Sequence, residues 1–361
     1  MTRASVLVAD RGEEGADSTE PPTSSRLGHR PKVVRASVAI VLGGVFLAAG
    51  AVGLVRYVQT FWLYRGFPPP VSARFVTVGS GAAHRRVPVY AGSLRTVAVP
   101  SPALGGRRMQ VLLYLPPNYA ADAGTRYPVL YLLHGDPGSP AQFVNVGDVA
   151  TTSDDLLAEG RIRPMIVVMP SGSPNFFTDE EWANSVRPHS DWETYVAHDL
   201  VAYVTAHYRT IDSGSQRGLG GPSEGGYGAF NIGFHHVGEF DLIEAWSPYY
   251  VASTAPQFFG QRRALLAYNS PAVEAPAVAA GLRSHDAYVW YYIGGHDRKN
   301  QSSFAFAQSL LSRHVSVKFT IDSGRHTWKL WRSHMSEALE AASGYFQHGA
   351  PPPSPLPPRD A

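Results

Sequence analysis

Two short runs of unbroken apolar residues, Val129–Leu133 and Met165–Met169, constrain the fold more than any other feature of the chain. Each is too short for a buried helix and lacks the polar alternation of a half-exposed strand. Such runs belong to strands covered on both faces, as in the interior of a parallel sheet. Further strands are predicted at Leu94–Val99, Met109–Leu115, Arg217–Gly220, Leu242–Trp246, Tyr288–Ile293 and Val317–Ile321. Helical spacing intervenes. Val196, Leu200, Tyr203, Val204 and His207 share one helical face, and Trp331, Met335, Ala338, Ala342 and Phe346 share another. Two more helices are expected at about Tyr227–His236 and Ser303–Ser312. Two leading strands followed by strand–helix alternation predict the α/β class, with a mostly parallel eight-stranded sheet flanked by helices. A single catalytic domain over residues 93–348 is the simplest account.

Within this alternation lies Gly221-Pro222-Ser223-Glu224-Gly225, preceded by a predicted strand and followed by a predicted helix. The bare Gly-x-Ser-x-Gly pattern is weak evidence in a chain holding 35 glycines. Its placement carries the reading, because a nucleophilic serine is presented on a sharp strand-to-helix turn that needs room on both sides. A phosphate cradle is the competing use of such a stretch, but no Lys-Ser or Lys-Thr pair ends it.

A neutral hydroxyl needs a base, and the base needs an orienting acid. In a sheet of this kind they follow the serine in the order acid, then histidine. Asp297 ends Gly294-Gly-His-Asp297 after the seventh predicted strand, and His326 lies in the loop after the eighth. His296, His314 and His334 compete for the base, and Asp286 and Asp322 for the acid. Two N–H donors are required for the oxyanion. The amide of Glu224, directly after the serine, is one. The other comes from His134-Gly-Asp-Pro-Gly138, where Pro137 has no N–H, so that Asp136 is the best donor, with Gly135 or Gly138 as fallbacks.

Residues 1–35 read as a polar, flexible cytoplasmic tail, and Ala36–Val55 contains no charged residue. About 20 apolar residues suffice to cross a bilayer. Arg30, Lys32 and Arg35 precede the run, and Tyr57, Phe61, Trp62 and Tyr64 follow it. Basic residues before the span and aromatic ones after it predict a single-pass anchor with the catalytic domain outside. A cleaved signal peptide, cut near Ala49-Gly50-Ala51, is the alternative, and would give a secreted protein. Residues 56–92 form a linker in which a short extended stretch is expected, and residues 349–361 a Pro-rich disordered tail.

The absence of cysteine excludes disulfides, thiolate metal sites and a thiol nucleophile. A net charge of +2 without a basic stripe gives nucleic-acid binding no support. No HExxH motif is present, and no cofactor or metal is expected.

The run from about Leu94 to Phe346 resembles the Putative esterase family, which includes esterase D, feruloyl esterases and secreted mycolyltransferases. The resemblance is carried by Tyr131-Leu-Leu-His-Gly135, Trp192-Glu-Thr-Tyr195, Gly221-Pro-Ser-Glu-Gly-Gly-Tyr-Gly228, Gly294-Gly-His-Asp297 and Gly324-Arg-His-Thr-Trp328. It implies an α/β-hydrolase core without a large cap and a Ser223–Asp297–His326 triad, with Asp136 and Glu224 amides at the oxyanion. The expected activity is serine ester hydrolysis through an acyl-enzyme. The same intermediate serves an acyltransferase, and a non-catalytic envelope-binding protein is the alternative from another class. Where the family often has Met, this chain has Glu224. With Glu181 and Trp182 expected at the mouth of the site, Glu224 suggests recognition of a cationic acyl group, as in an aminoacylated lipid ester at a membrane.

Overall fold

A computed structural model describes residues 41–45, 47, 49–51, 74–78, 85–89, 91–174, 178 and 180–358. The chain divides into two units, Met1–Tyr57 and Val58–Ala361. In the first, the described residues are helical. Among the described residues no helix is long and apolar enough to cross a membrane. Most of the predicted span at Ala36–Val55 lies outside them.

The second unit holds a two-stranded antiparallel sheet, β1 (Arg74–Val78) and β2 (Arg85–Val89), where the sequence suggested only an extended lead-in. Its main sheet has eight strands: β3 (Ser93–Ser101), β4 (Arg107–Leu115), β5 (Val129–Leu132), β6 (Ile166–Pro170), β7 (Arg217–Gly220), β8 (Leu242–Trp246), β9 (Tyr288–Gly294) and β10 (Ser316–Asp322). The order is β10-β9-β8-β7-β5-β6-β4-β3. β3 pairs antiparallel with β4 and β4 with β6, and every other pair is parallel. All eight predicted strands are present within a residue or two of their expected ends.

The double burial inferred from the apolar runs has a direct structural counterpart. Val129 and Tyr131 of β5 enter one hydrophobic cluster while Leu130 and Leu132 enter the other, across the sheet. Successive strand side chains point to opposite faces, so a strand feeding two cores must be apolar at every position.

The helices bearing on the site are α1 (Val149–Ala158), α2 (Val201–His207), α3 (Glu224–His235), α4 (Pro271–Ser284), α5 (Asn300–Leu311), α6 (Trp328–Ser333) and α7 (Met335–His348). α2 continues a helical turn at Trp192–Thr194 and a π-helical stretch at Tyr195–Leu200. The predicted last helix is broken at His334, separating Trp331 in α6 from the rest of its apolar face in α7. The far end of α3 is clamped by Glu193, whose Oε2 accepts a hydrogen bond from His235 Nδ1 and whose Oε1 accepts one from His236 Nε2, both at 3.0 Å. His235 Nε2 also donates, to Tyr268 O at 2.7 Å. Burial lowers the His235 pKa, but these bonds and the Glu193 charge outweigh it and leave the ring above its ordinary value.

The Pro-rich C-terminus departs from expectation. Ser354 N–H donates to Val317 O at 2.9 Å and Ala350 N–H to Asp286 Oδ2 at 3.0 Å, and Leu356 packs against the core. Residues 349–358 therefore lie along the open edge of β10 instead of forming a disordered tail. Covering an edge strand in this way satisfies backbone groups that otherwise pair with other chains.

Candidate active site

The candidate residues sit beyond the carboxyl ends of the parallel strands, where ligands bind in open α/β sheets. Ser223 follows β7, Asp297 follows β9 and His326 follows β10. His326 Nε2 lies 2.8 Å from Ser223 Oγ, and its Nδ1 lies 2.7 Å from Asp297 Oδ2. A carboxylate only accepts, so Nδ1 carries the proton and Nε2 is left to accept the serine hydroxyl. The His326 side chain is 36% exposed and that of Asp297 only 5%. Burial raises the Asp297 pKa, yet the hydrogen bonds from His326 and from the Lys299 N–H, 3.1 Å from Oδ1, hold it below the usual carboxylate range.

The competitors lie elsewhere. His334 Nδ1 faces Glu337 at 3.2 Å, and its ring rests on Tyr292. Asp322 accepts from Thr320 Oγ1, and Asp286 from Ala350. The backbone N–H of His296 donates to Gly324 O, and His314 occupies the turn after α5, its backbone N–H donating to Leu311 O.

Ser223 has φ 55° and ψ −116°. For a residue with a side chain this is a costly conformation that survives only where the surroundings enforce it. Here they do. Ser223 N–H donates to Trp246 O at 2.8 Å, tying the turn to the end of β8. On the other side, a methyl group at Gly225 would stand 1.8 Å from the Leu133 carbonyl oxygen, so α3 starts pressed against the end of β5. Glycine is a poor helix former, and this contact explains its presence as the second residue of a helix.

The loop after β5 reaches the same point. A β-carbon on Gly135 would lie 3.2 Å from Ser223 Cβ, 3.1 Å from Pro222 O and 3.8 Å from the Glu224 amide nitrogen. The loop carrying Asp136 and the helix turn carrying Glu224 thus meet at the serine. N–H groups of a first helical turn point out of its N-terminus and favour negative charge there. His134 fixes the loop. Its Nε2 accepts from Gly172 N–H at 2.8 Å, leaving Nδ1–H to donate to Gly135 O at 3.0 Å. In a trans peptide the Gly135 carbonyl and the Asp136 N–H point in opposite directions, so holding one orients the other. Burial pushes the His134 pKa down to about 4, which keeps the ring neutral and this pattern intact at neutral pH.

The residues expected at the mouth of the site are buried. Trp182 is fully buried and donates Nε1–H to His134 O at 2.8 Å, so it buttresses the loop from behind. Glu181 is 6% exposed and accepts from Tyr249 OH at 2.5 Å. Glu180 is equally buried and accepts from Arg187, Ser190 and Trp192. Glu224 is 8% exposed. Burial first, then the Glu181 and Glu224 charges, push the Tyr249 hydroxyl well above its ordinary value, and the Tyr249 ring stacks on Tyr227.

Two groups that no sequence motif marks steady His326. The Trp331 ring stands edge-on to the imidazole at 5.1 Å, and its Nε1–H donates to Ser247 Oγ at 3.2 Å. Ser247 has φ 54° just past β8. Trp331 reads in sequence as one member of an apolar helical face, which conceals its second contact.

A family model described as Putative esterase matches residues 101–342. An uncharacterized protein of Corynebacterium glutamicum is 24% identical over 236 residues, 63% of this chain and 55% of its own. An esterase of Mycobacterium tuberculosis is 33% identical over 130 residues, 36% of this chain and 27% of its own. The chain thus spans about half and about a quarter of the lengths of these relatives. Among solved structures, a ferulic acid esterase superposes with a TM-score of 0.64 at 24% identity, covering 72% of this chain and 100% of that one.

Proposed function

The chain belongs to the Putative esterase family, and on that premise we propose that it is a carboxylic ester hydrolase working through an acyl-Ser223 intermediate. The observation that carries the proposal is the continuous hydrogen-bonded line from Ser223 Oγ through His326 to the buried carboxylate of Asp297. As Oγ attacks the ester carbonyl, its proton passes to Nε2 of His326. The imidazolium, stabilised by Asp297, then protonates the departing alcohol. Water attacks the acyl-enzyme, again giving a proton to His326, and the acid leaves as Ser223 regains its hydrogen. The developing oxyanion is held by the amides of Asp136 and Glu224, the latter aided by the N-terminus of α3.

A fluorophosphonate probe tests this cheaply, since Oγ displaces fluoride at phosphorus and stays bonded. The expected label is one adduct on the peptide containing Ser223, absent in Ser223→Ala. Ester hydrolysis without any adduct at Ser223 would sink the proposal.

We further propose that Ala36–Val55 anchors the chain in a membrane with the hydrolase outside, and that the substrate is an ester of a membrane or envelope lipid. Supporting this, the described part of that segment is helical, and its Val41, Leu42, Val45 and Leu47 are 53–77% exposed. An apolar helical surface left uncovered in this way suits hydrocarbon better than water. The full-length protein is expected to stay in the membrane pellet after alkaline carbonate washing. Recovery in the supernatant with a new N-terminus near residue 52 would establish a cleaved signal peptide instead.

A further inference from the structure

A cavity of about 440 Å³ opens between the segment after β8 and α5, and its lining residue Lys299 stands two positions after Asp297. Tyr249, Tyr250, Ala272, Ala305 and Phe306 give it largely apolar walls, and Lys299 contributes the one charged side chain among its described lining residues. Ligand sites of this size are commonly apolar with a few polar groups that fix orientation. Two of its lining residues touch the elements that carry the proposed chemistry. The Lys299 amide bonds Asp297 Oδ1, and Tyr249 stacks on Tyr227, one helical turn after Ser223.

The Lys299 ammonium is unusual in its surroundings. It is half-buried and lies 4.4 Å from the Tyr249 ring centroid, and it makes no salt bridge among the described residues. Burial lowers its pKa, although the charges of Asp297 and Glu181 act in the opposite sense. Both carboxylates are otherwise engaged, Asp297 by His326 and Glu181 by Tyr249 OH. A partly desolvated cation beside an apolar wall is compensated best by an anion that arrives with an apolar body.

Building on the proposed ester hydrolysis, we propose that this cavity receives one limb of the ester substrate, an apolar group bearing a carboxylate or phosphate that pairs with Lys299. The anion belongs either to the acyl half or to the alcohol half, and two substrate pairs distinguish them. For the acyl half, p-nitrophenyl hydrogen glutarate is compared with p-nitrophenyl pentanoate. For the alcohol half, 4-acetoxybenzoate is compared with its methyl ester. The readout is the anionic-to-neutral ratio of kcat/KM in wild type, Lys299→Met and Lys299→Arg. In one pair the ratio is expected to fall about tenfold or more in Lys299→Met, as for loss of a charge-assisted hydrogen bond, and to recover partly in Lys299→Arg. Ratios unchanged by Lys299→Met in both pairs would overturn the proposal. Hydrolysis of the neutral esters, and its loss in Ser223→Ala, reports separately on the hydrolase reading.

Discussion

Ser223→Ala is expected to yield a folded protein whose kcat on a short-chain p-nitrophenyl ester falls by about 10⁴-fold or more, with little change in thermal stability. Among the described residues the serine hydroxyl makes no hydrogen bond apart from that to His326. The turn is held instead by its backbone N–H and by α3, both of which survive the substitution. His326→Ala is expected to cost a similar factor, because Oγ then keeps its proton. Asp297→Asn is expected to cost less in binding than in turnover, because an amide at this position also stabilises the wrong imidazole tautomer. The diagnostic feature is non-additivity. Once Ser223 is gone there is no proton for the other two to move, so the triple variant should be scarcely slower than the worst single one. Independent, multiplying losses, or near-wild-type rates in His326→Ala, would show that the three side chains do not act as a unit.

The second large effect is predicted at a residue with no chemistry. Gly225→Ala places a methyl group 1.8 Å from the Leu133 carbonyl oxygen and 2.5 Å from its carbon. Helix propensity alone favours alanine by about 1 kcal/mol. The clash is with backbone, which has no rotamer by which to yield, so overpacking wins, at about 3 kcal/mol or more. A loss of that size lowers Tm by roughly 6–12 °C in a domain of this size. It also shifts the first turn of α3, so the kcat of the remaining folded protein should fall with it. Gly344→Ala in α7 is the control, since a β-carbon there meets nothing within 4 Å and is expected to leave Tm equal or slightly raised. Equal midpoints for the two variants would mean that α3 is not pressed against β5.

These expectations mark how far the residues alone could be read. The central strands β5 and β6 were legible because burial on two faces writes itself as unbroken apolar runs, and a five-residue run leaves few alternatives. Ser223, Asp297 and His326 were legible because each follows a recognisable strand. Glu181 reads in sequence as a surface group because carboxylates ordinarily mark a surface. Glu180 and Glu181 are buried because their partners come from residues 187–192 and from Tyr249, and no local pattern announces such company. The break at His334 was hidden because Trp331 continues the apolar spacing of α7 across it. The cavity at Lys299 is assembled from segments near residues 250, 272 and 305, so it exists only once the chain has folded.

The unusual backbone of Ser223 has a consequence for control. Its N–H is spoken for by Trp246, the helix behind it abuts Leu133, and the loop in front is fastened by a histidine that stays neutral across the physiological range. The backbone of Ser223 is thus held by contacts on both sides that do not involve a substrate. On the proposed hydrolase reading, no rearrangement of the serine would precede attack, and turnover would follow how often a suitable ester reaches it.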